Sequence, residues 1–301
     1  MTKIIAIVGP TASGKTKLSI EIAKRYNGQC VNFDSTQLFS GTDIATNKIT
    51  DSEKDGIVHH MLSVKKVNQT IDVVEYRNIT REIINKLLNK KISPILVGGT
   101  GYYLLGVVKN YTFFGCKRKE DISKQFSKLN QKEVNELLFE DLLIKGTDNK
   151  RILRKYQLKQ EVDMSKINFQ QEEEYIYKNL VIIGLNPDRE KLYQRINDRV
   201  LELVKIGLFD EIKKAYLDND KNKDAQALKC IGGKEIIAYL NNQLSYEDAI
   251  TAMQKNNRNY AKRQITYFKN KFQDKIKWFN HQFLDIDRVY ADIFSYIDSL
   301  D

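Results

Sequence analysis

Directly after the apolar run Ile4–Val8, the octapeptide Gly9-Pro10-Thr11-Ala12-Ser13-Gly14-Lys15-Thr16 matches G-x-x-x-x-G-K-[ST] at every required position. Glycines at both ends let successive backbone N–H groups turn inward on an anion, and a helix starting near Lys17 adds its positive N-terminal end. Lys15 supplies a point charge and the Thr16 hydroxyl a ligand for Mg²⁺. The pattern demands a di- or triphosphate with its metal ion and leaves open which one. The bland reading is a glycine-rich turn into a core helix.

Other residues able to do chemistry are spread along the chain. Asp34, in Asn32-Phe33-Asp34-Ser35-Thr36-Gln37, closes a second predicted strand, so its carboxylate would project toward the phosphate loop as a candidate base. An aspartate there also caps turns. Leu96-Val97-Gly98-Gly99-Thr100-Gly101-Tyr102-Tyr103 lets the backbone pass close to a ligand, or makes a plain tight turn. His59 and His60 lack a Cys, Asp or Glu at metal-ligand spacing and read as loop or packing residues. Arg195 and Arg199, at i, i+4, are spaced to clamp a pyrophosphate. Lys150, Arg151 and Arg154 either grip RNA phosphates or are simply exposed.

Short β-branched runs positioning these groups recur at residues 4–8, 30–33, 92–97 and 180–183, with helical periodicity between them. In residues 72–90, Tyr76, Ile79, Ile83 and Leu87 form the expected apolar stripe, with Thr70 or Asp72 as the cap. This predicts an α/β fold: a P-loop NTPase-like parallel sheet flanked by helices, carrying a mainly helical inserted subdomain. Residues 1–112 form the first part of the core, 113–172 the helical insertion, and 173–301 the remainder of the core with basic C-terminal helices. Residues 189–279 read as helical throughout. Ala261, Ile265, Phe268 and Phe272 make one stripe, and Arg258, Lys262, Thr266 and Lys269 an adjacent one able to track a phosphate backbone or to remain a solvated face.

Between positions 255 and 279, eight lysines and arginines face only Asp274. The whole chain, 301 residues at +10 with 42% apolar residues, suits a packed core and a polyanionic partner. Cys30, Cys116 and Cys230 fit neither a disulfide framework nor zinc spacing, and free thiols are expected. No apolar run reaches the length of a signal peptide core or a membrane span, so a cytoplasmic protein is expected.

In their order along the chain these segments resemble the bacterial tRNA dimethylallyltransferase family. The resemblance rests on Gly9 to Thr16, on Asp34 to Gln37 with Gly41-Thr42-Asp43-Ile44-Ala45-Thr46-Asn47-Lys48, on His59-His60 and on Leu96 to Tyr103. It continues through Asp148 to Arg154, Ile183-Gly184-Leu185 with Asp188-Arg189, Ile231-Gly232-Gly233-Lys234-Glu235, and Asn257 to Phe268. It implies that Gly9, Pro10, Thr11, Ala12, Ser13, Gly14, Lys15 and Thr16 hold the diphosphate of dimethylallyl diphosphate, with Mg²⁺ on Thr16. Asp34, Thr100 and Arg199 would be catalytic, Asp34 accepting a hydrogen bond or proton from the N6 amine of an adenosine flipped out beside the anticodon. The tRNA anticodon stem-loop would be held by Asp34, Ser35, Thr36, Gln37, Thr100, Lys150, Arg151, Ile152, Leu153, Arg154, Arg258, Lys262 and Arg263, and by the inserted helices. No membrane partner is implied, and a monomer is expected.

The chain departs from the family pattern at Gly233, where tyrosine is usual, at Asn257-Arg258-Asn259 in place of Thr-Arg-Gln, at Asn149 in place of proline, and at Arg154-Lys155-Tyr156-Gln157 in place of Arg-Ala-Leu-Glu. Three rival readings are a small-molecule kinase with an ordinary phosphate loop, for which Arg151 and Arg154 are the only lid arginines in view, an isopentenyltransferase acting on free adenine nucleotide, and a non-enzymatic RNA-binding protein with a vestigial phosphate loop, against which intact Lys15, Thr16 and Asp34 argue. The cationic C-terminal segment favours RNA over a free nucleotide.

Overall fold

The computed structural model describes residues 2–111, 113 and 174–300. Two compact units divide the chain: residues 1–109 with 175–301, and residues 110–174. The second unit falls almost wholly outside the described residues, and with it the expected helical insertion and Cys116.

The first unit is built on a six-stranded sheet in the order β3-β2-β4-β1-β5-β6, every pair parallel. Its strands are β1 (Ile4–Val8), β2 (Gly28–Asn32), β3 (His59–His60), β4 (Ser93–Val97), β5 (Leu180–Pro187) and β6 (Ile276–His281). Every residue of β1 is at 0% exposure, as a central parallel strand covered on both faces requires. One face packs on α1 (Lys15–Arg25) and α8 (Ile286–Asp298), where Leu18, Ile22, Val289, Ile293 and Ile297 join Ile5 and Ile7 in one core.

The second helix, α2 (Val73–Asn89), starts at Asp72, whose Oδ1 accepts from the N–H groups of Val74 and Glu75, both at 2.8 Å. Its buried stripe is Tyr76, Thr80, Ile84 and Leu87, rotated from the expected one; Ile79 is exposed and Ile83 half-buried. The rotation follows from two anchors. Tyr76 donates to the carbonyl of Asn32, and Arg81 closes the end of α3 (Gly101–Val108) by donating to the carbonyls of Gly106, Val107 and Lys109.

A second core is mainly helical, with Ala45 entering it from the loop after β2. It joins α4 (Arg189–Lys205), α5 (Leu208–Leu217), a 3₁₀ turn (Ala227–Lys229), α6 (Gly233–Leu240) and α7 (Tyr246–Lys271) through Val200, Leu203, Ile212, Leu228, Ile236 and Met253. Among the described residues no helix is long and apolar enough to cross a membrane.

Both sheet edges depart from the expectations. Residues 276–281, of which 276–279 were read as helical, form β6, paired with β5 from Ile182↔Ile276 to Pro187↔His281. Trp278 lies over Gly184, where a Cβ would stand 2.4 Å from the indole. Lysines 275 and 277 are the charges that keep an edge strand from pairing further, and they mask its alternation in the sequence. His59 and His60, read as loop or packing residues, form the two-residue edge strand β3 beside Cys30 and Val31. His59 Nδ1 meets the Ile57 carbonyl at 2.9 Å and His60 Nε2 meets Gln29 Oε1 at 2.8 Å, while His59 Nε2 is buried without a partner among the described residues.

Gly233, where the family pattern has tyrosine, opens α6 against the 3₁₀ turn: a Cβ there would lie 2.0 Å from the Leu228 carbonyl oxygen. Gly233→Ala therefore overpacks a backbone contact and should cost about 1–3 kcal/mol, read as a lower urea midpoint with unchanged slope. An unchanged midpoint would show that the turn yields without strain.

Candidate active site

The carboxyl ends of β1, β2 and β4 are held level by register, Ile7 opposite Val97 and Val97 opposite Asn32, so the residues after each strand meet along one rim. A cavity of about 1070 Å³ opens there, lined by residues 11–17, Asp34 to Gln37, Gly98, Gly99, Arg195, Arg199, Tyr260, Arg263 and Gln264.

The phosphate loop is shaped for an anion. Gly9 has φ 147°, and a Cβ on it would meet the Leu185 carbonyl oxygen at 2.8 Å, so only glycine lets the loop leave β1 this close to β5. Ala12 and Gly14 are also left-handed, at φ 62° and 93°, and Gly14 begins α1 with no side chain capping its first turn. Ser13 is fully buried with its hydroxyl unpartnered among the described residues. Lys15 Nζ donates to the Pro10 carbonyl at 2.6 Å, and desolvation pulls its pKa down from 10.5 to about 8, partly offset by the charge of Asp34. An ammonium held that way gains from any anion entering the loop. Thr16 is exposed on the first turn of α1, its hydroxyl has no partner among the described residues, and it lines the cavity.

Across the rim, Asp34 is fixed through one oxygen. Its Oδ1 accepts from Thr36 N at 3.0 Å and Thr36 Oγ1 at 2.7 Å, while its own N–H donates to Asn32 Oδ1 at 3.1 Å. Oδ2 lies 3.1 Å from where a Gly99 Cβ would be and has no hydrogen-bond donor among the described residues. The sequence offered two roles for Asp34, turn cap and base; Oδ1 takes the first and leaves Oδ2 available for the second.

The glycines after β4 bring protein to protein. A Cβ on Gly98 would stand 2.6 Å from the Phe33 carbonyl carbon, and one on Gly99 2.4 Å from Gln264 Nε2. The close approach expected toward a ligand is in this structure an approach to the strand end that carries Asp34. Thr100 does not line the cavity: its Oγ1 accepts from Ser35 N at 3.0 Å and meets Ser35 Oγ at 3.1 Å, which ties the start of α3 to the Asp34–Gln37 loop.

The remaining predicted residues divide into three groups. Arg195 and Arg199 line the cavity from α4. Arg195 stacks on Phe283 at 4.5 Å, and Arg199 is 44% exposed in a pair with Glu202 at 3.2 Å, a contact weak enough to exchange for a phosphate. Arg263 lines the cavity and lies over the Tyr260 ring, and Lys262 is exposed beside it. Arg258, expected on the phosphate-tracking stripe, is half-buried and donates to Asn197 Oδ1 at 2.5 Å, joining α7 to α4. Lys150, Arg151, Ile152, Leu153 and Arg154 lie outside the described residues.

Glu211, Tyr260 and Gln264 carried no individual role in the sequence reading, whereas Gln37 was expected among the residues that hold the tRNA. Glu211 accepts from Ile44 N at 2.9 Å and Ala45 N at 2.7 Å, and Gln37 Nε2 donates to the Thr46 carbonyl at 3.0 Å, which together set the loop after Asp34. Tyr260 and Gln264 reach the Gly99 carbonyl from α7, and burial beside Asp34 raises the Tyr260 phenol well above its ordinary range. The available signal was a glutamine inside the stripe Ala261-Gln264-Phe268, where an apolar residue is the default.

A family model described as IPP transferase matches residues 37–271. The tRNA dimethylallyltransferase of Anoxybacillus flavithermus is 36% identical over 285 residues, 92% of this chain and 90% of that protein. That of Bacillus subtilis is 34% identical over 307 residues, covering 98% and 96%. The crystal structure of the full-length tRNA isopentenylpyrophosphate transferase from Bacillus halodurans is similar with a TM-score of 0.76 at 33% identity, covering 99% of this chain and 96% of that one. A eukaryotic dimethylallyltransferase acting on tRNA is similar with a TM-score of 0.82 at 25% identity, over 99% and 80%. With an anion cradle and an open carboxylate oxygen facing one cavity, and a family match across most of its length, the chain belongs to the tRNA dimethylallyltransferase (IPP transferase) family.

Proposed function

We propose that this chain transfers the dimethylallyl group of dimethylallyl diphosphate to the exocyclic N6 of the tRNA adenosine on the 3′ side of the anticodon, releasing diphosphate. The observation that carries this reading is the free Oδ2 of Asp34 on the same cavity as the Gly9–Thr16 loop. The bond from C1 to the diphosphate oxygen breaks as the bond from C1 to N6 forms. An adenine amine is a poor nucleophile whose proton must leave, and Asp34 Oδ2 is placed to accept it and pass it to solvent. The loop N–H groups, Lys15 and Arg199 take up the charge that grows on the departing diphosphate. In that setting tRNA is the acceptor, and the cytoplasm is the protein's place of work.

Thr16 suits a hard divalent cation, since it lines the cavity and its hydroxyl has no partner among the described residues, and the diphosphate with water would complete an oxygen shell. Bound there, Mg²⁺ would neutralise leaving-group charge. On the acceptor side, Arg263 lines the cavity and the exposed Lys262 precedes it in the chain, both able to meet RNA phosphates.

Mass analysis of tRNA nucleosides after incubation with the purified protein and dimethylallyl diphosphate tests the reading, with ATP and free AMP in parallel arms. Dimethylallyl-adenosine in tRNA is the expected product; phosphate transfer from ATP, or prenylation of AMP alone, would contradict it.

Asp34→Asn keeps an Oδ1 to hold Thr36 and removes the proton acceptor, so turnover should fall roughly 10²–10⁴-fold while diphosphate binding persists. Retained turnover would take Asp34 out of the chemistry.

The Lys15 pKa gives a second expectation, with a definite sign. A bound diphosphate favours the ammonium and raises its pKa above the value of about 8 in the empty site, so donor affinity is level below that pH and falls as pH rises through it. Calorimetric titration with pyrophosphate should show this decline, and Lys15→Ala should be weaker throughout and lack it. Affinity that increases with pH would refute the assignment.

A further inference from the structure

The side chain of Gln264 spans the two halves of the cavity. It is 4% exposed on α7, its Oε1 accepts from Thr11 N at 2.7 Å, and its Nε2 donates to the Gly99 carbonyl at 3.0 Å. Only one orientation of the amide satisfies an N–H on one side and a carbonyl on the other, so the network fixes its direction. One bond ends on the phosphate loop. The other ends on the residue whose Cα faces Asp34 Oδ2, where a Cβ would lie 3.1 Å from the carboxylate oxygen and 2.4 Å from Gln264 Nε2.

Two N–H groups of the loop are held within the protein. Thr11 N–H is held by Gln264 and Ser13 N–H by the Pro10 carbonyl at 3.3 Å, and an anion would be met by the remaining N–H groups of Ala12 and Gly14 and by the first turn of α1. Tyr260, one turn earlier on the same face of α7, meets the same carbonyl at the longer distance of 3.4 Å and reinforces the tie. No other side-chain bond among the described residues joins the phosphate loop to the rim that carries Asp34.

We propose that Gln264 is a positioning residue that sets the separation between the donor cradle and the Asp34 carboxylate, acting on the rate of transfer and not on the affinity of either substrate. The role rests on the dimethylallyl-transfer reading above. Transfer between two bound partners depends steeply on their approach, and a misplacement of about 1 Å costs on the order of 10²-fold in rate. Neither half of the site needs the bridge in order to bind: the cradle keeps Lys15 and the first turn of α1, and Asp34 keeps its bonds to Thr36.

The test compares single-turnover transfer to full-length tRNA with pyrophosphate and tRNA affinities, in wild type, Gln264→Met and Gln264→Glu, alongside thermal unfolding. Methionine keeps the volume and loses both bonds. Glutamate keeps the acceptor for Thr11 N–H and sets an oxygen against the Gly99 carbonyl, so it restores one bond of the two. Saturated rates should fall roughly 10–100-fold in both variants, with tRNA affinity within about threefold of wild type in both and pyrophosphate affinity within about threefold in the methionine variant. A methionine variant that transfers at the wild-type rate would overturn the proposal. So would one whose affinities fall as far as its rate, because that pattern marks a merely structural contact. If methionine unfolds the protein, the glutamate rate decides alone. A wild-type protein that transfers no dimethylallyl group would instead remove the functional reading, and this role with it.

Discussion

The parallel pairing of β1 with β4, and of β4 with β2, is the constraint from which the rest of the site follows. β1 is apolar at all five positions and wholly buried. Each isoleucine or valine so withdrawn from water is worth roughly 1.5–3 kcal/mol, and a slip of one residue would exchange the side chains of the two covered faces, setting each against neighbours shaped for another and spoiling the close packing on both. Register is thereby fixed by the core, and the core in turn fixes where the three strands end. An anion cradle after β1, a carboxylate after β2 and a paired glycine turn after β4 are brought to a common rim by packing that involves none of them.

What the rim still lacks is a fixed spacing between its parts, and that comes from side chains outside the sheet. Thr100 ties α3 to Ser35, Glu211 clamps the backbone at Ile44 and Ala45, and Gln264 joins the phosphate loop to Gly99. Each uses a polar side chain to satisfy backbone groups that the sheet leaves unpaired at its edge. The loops around the cavity are thus held by directional bonds, while the strands beneath them are held by burial. Lys15 sits where the two meet, charged at a cost that an incoming anion relieves.

How far the sequence disclosed this depends on how local each determinant is. The strand–loop–helix turn at Gly9–Thr16 was legible because its eight consecutive residues each carry a recognisable backbone or charge requirement, and four of the six strands were legible as short β-branched runs. The edge strands were not. β6 carries lysines and an indole that read as a basic aromatic segment, and β3 has only two residues to show. The phase of α2 depends on the Tyr76 bond to Asn32 and the Arg81 bonds to α3, neither of which leaves a trace in periodicity. Gln264 is the clearest case. Its partner Thr11 lies 253 residues away, and nothing near it in the chain distinguishes it from an exposed glutamine except its place in an apolar stripe.

The most direct test of a cradle and a carboxylate serving one transfer is a crystal structure with a thio-analogue of dimethylallyl diphosphate and an anticodon stem-loop bound together. The account requires the diphosphate within residues 9–16, with its allylic carbon directed at an extruded adenine whose N6 lies within hydrogen-bond distance of Asp34 Oδ2. A diphosphate seated elsewhere, or an adenine amine met by some other group while Asp34 stays with Thr36 alone, would contradict it.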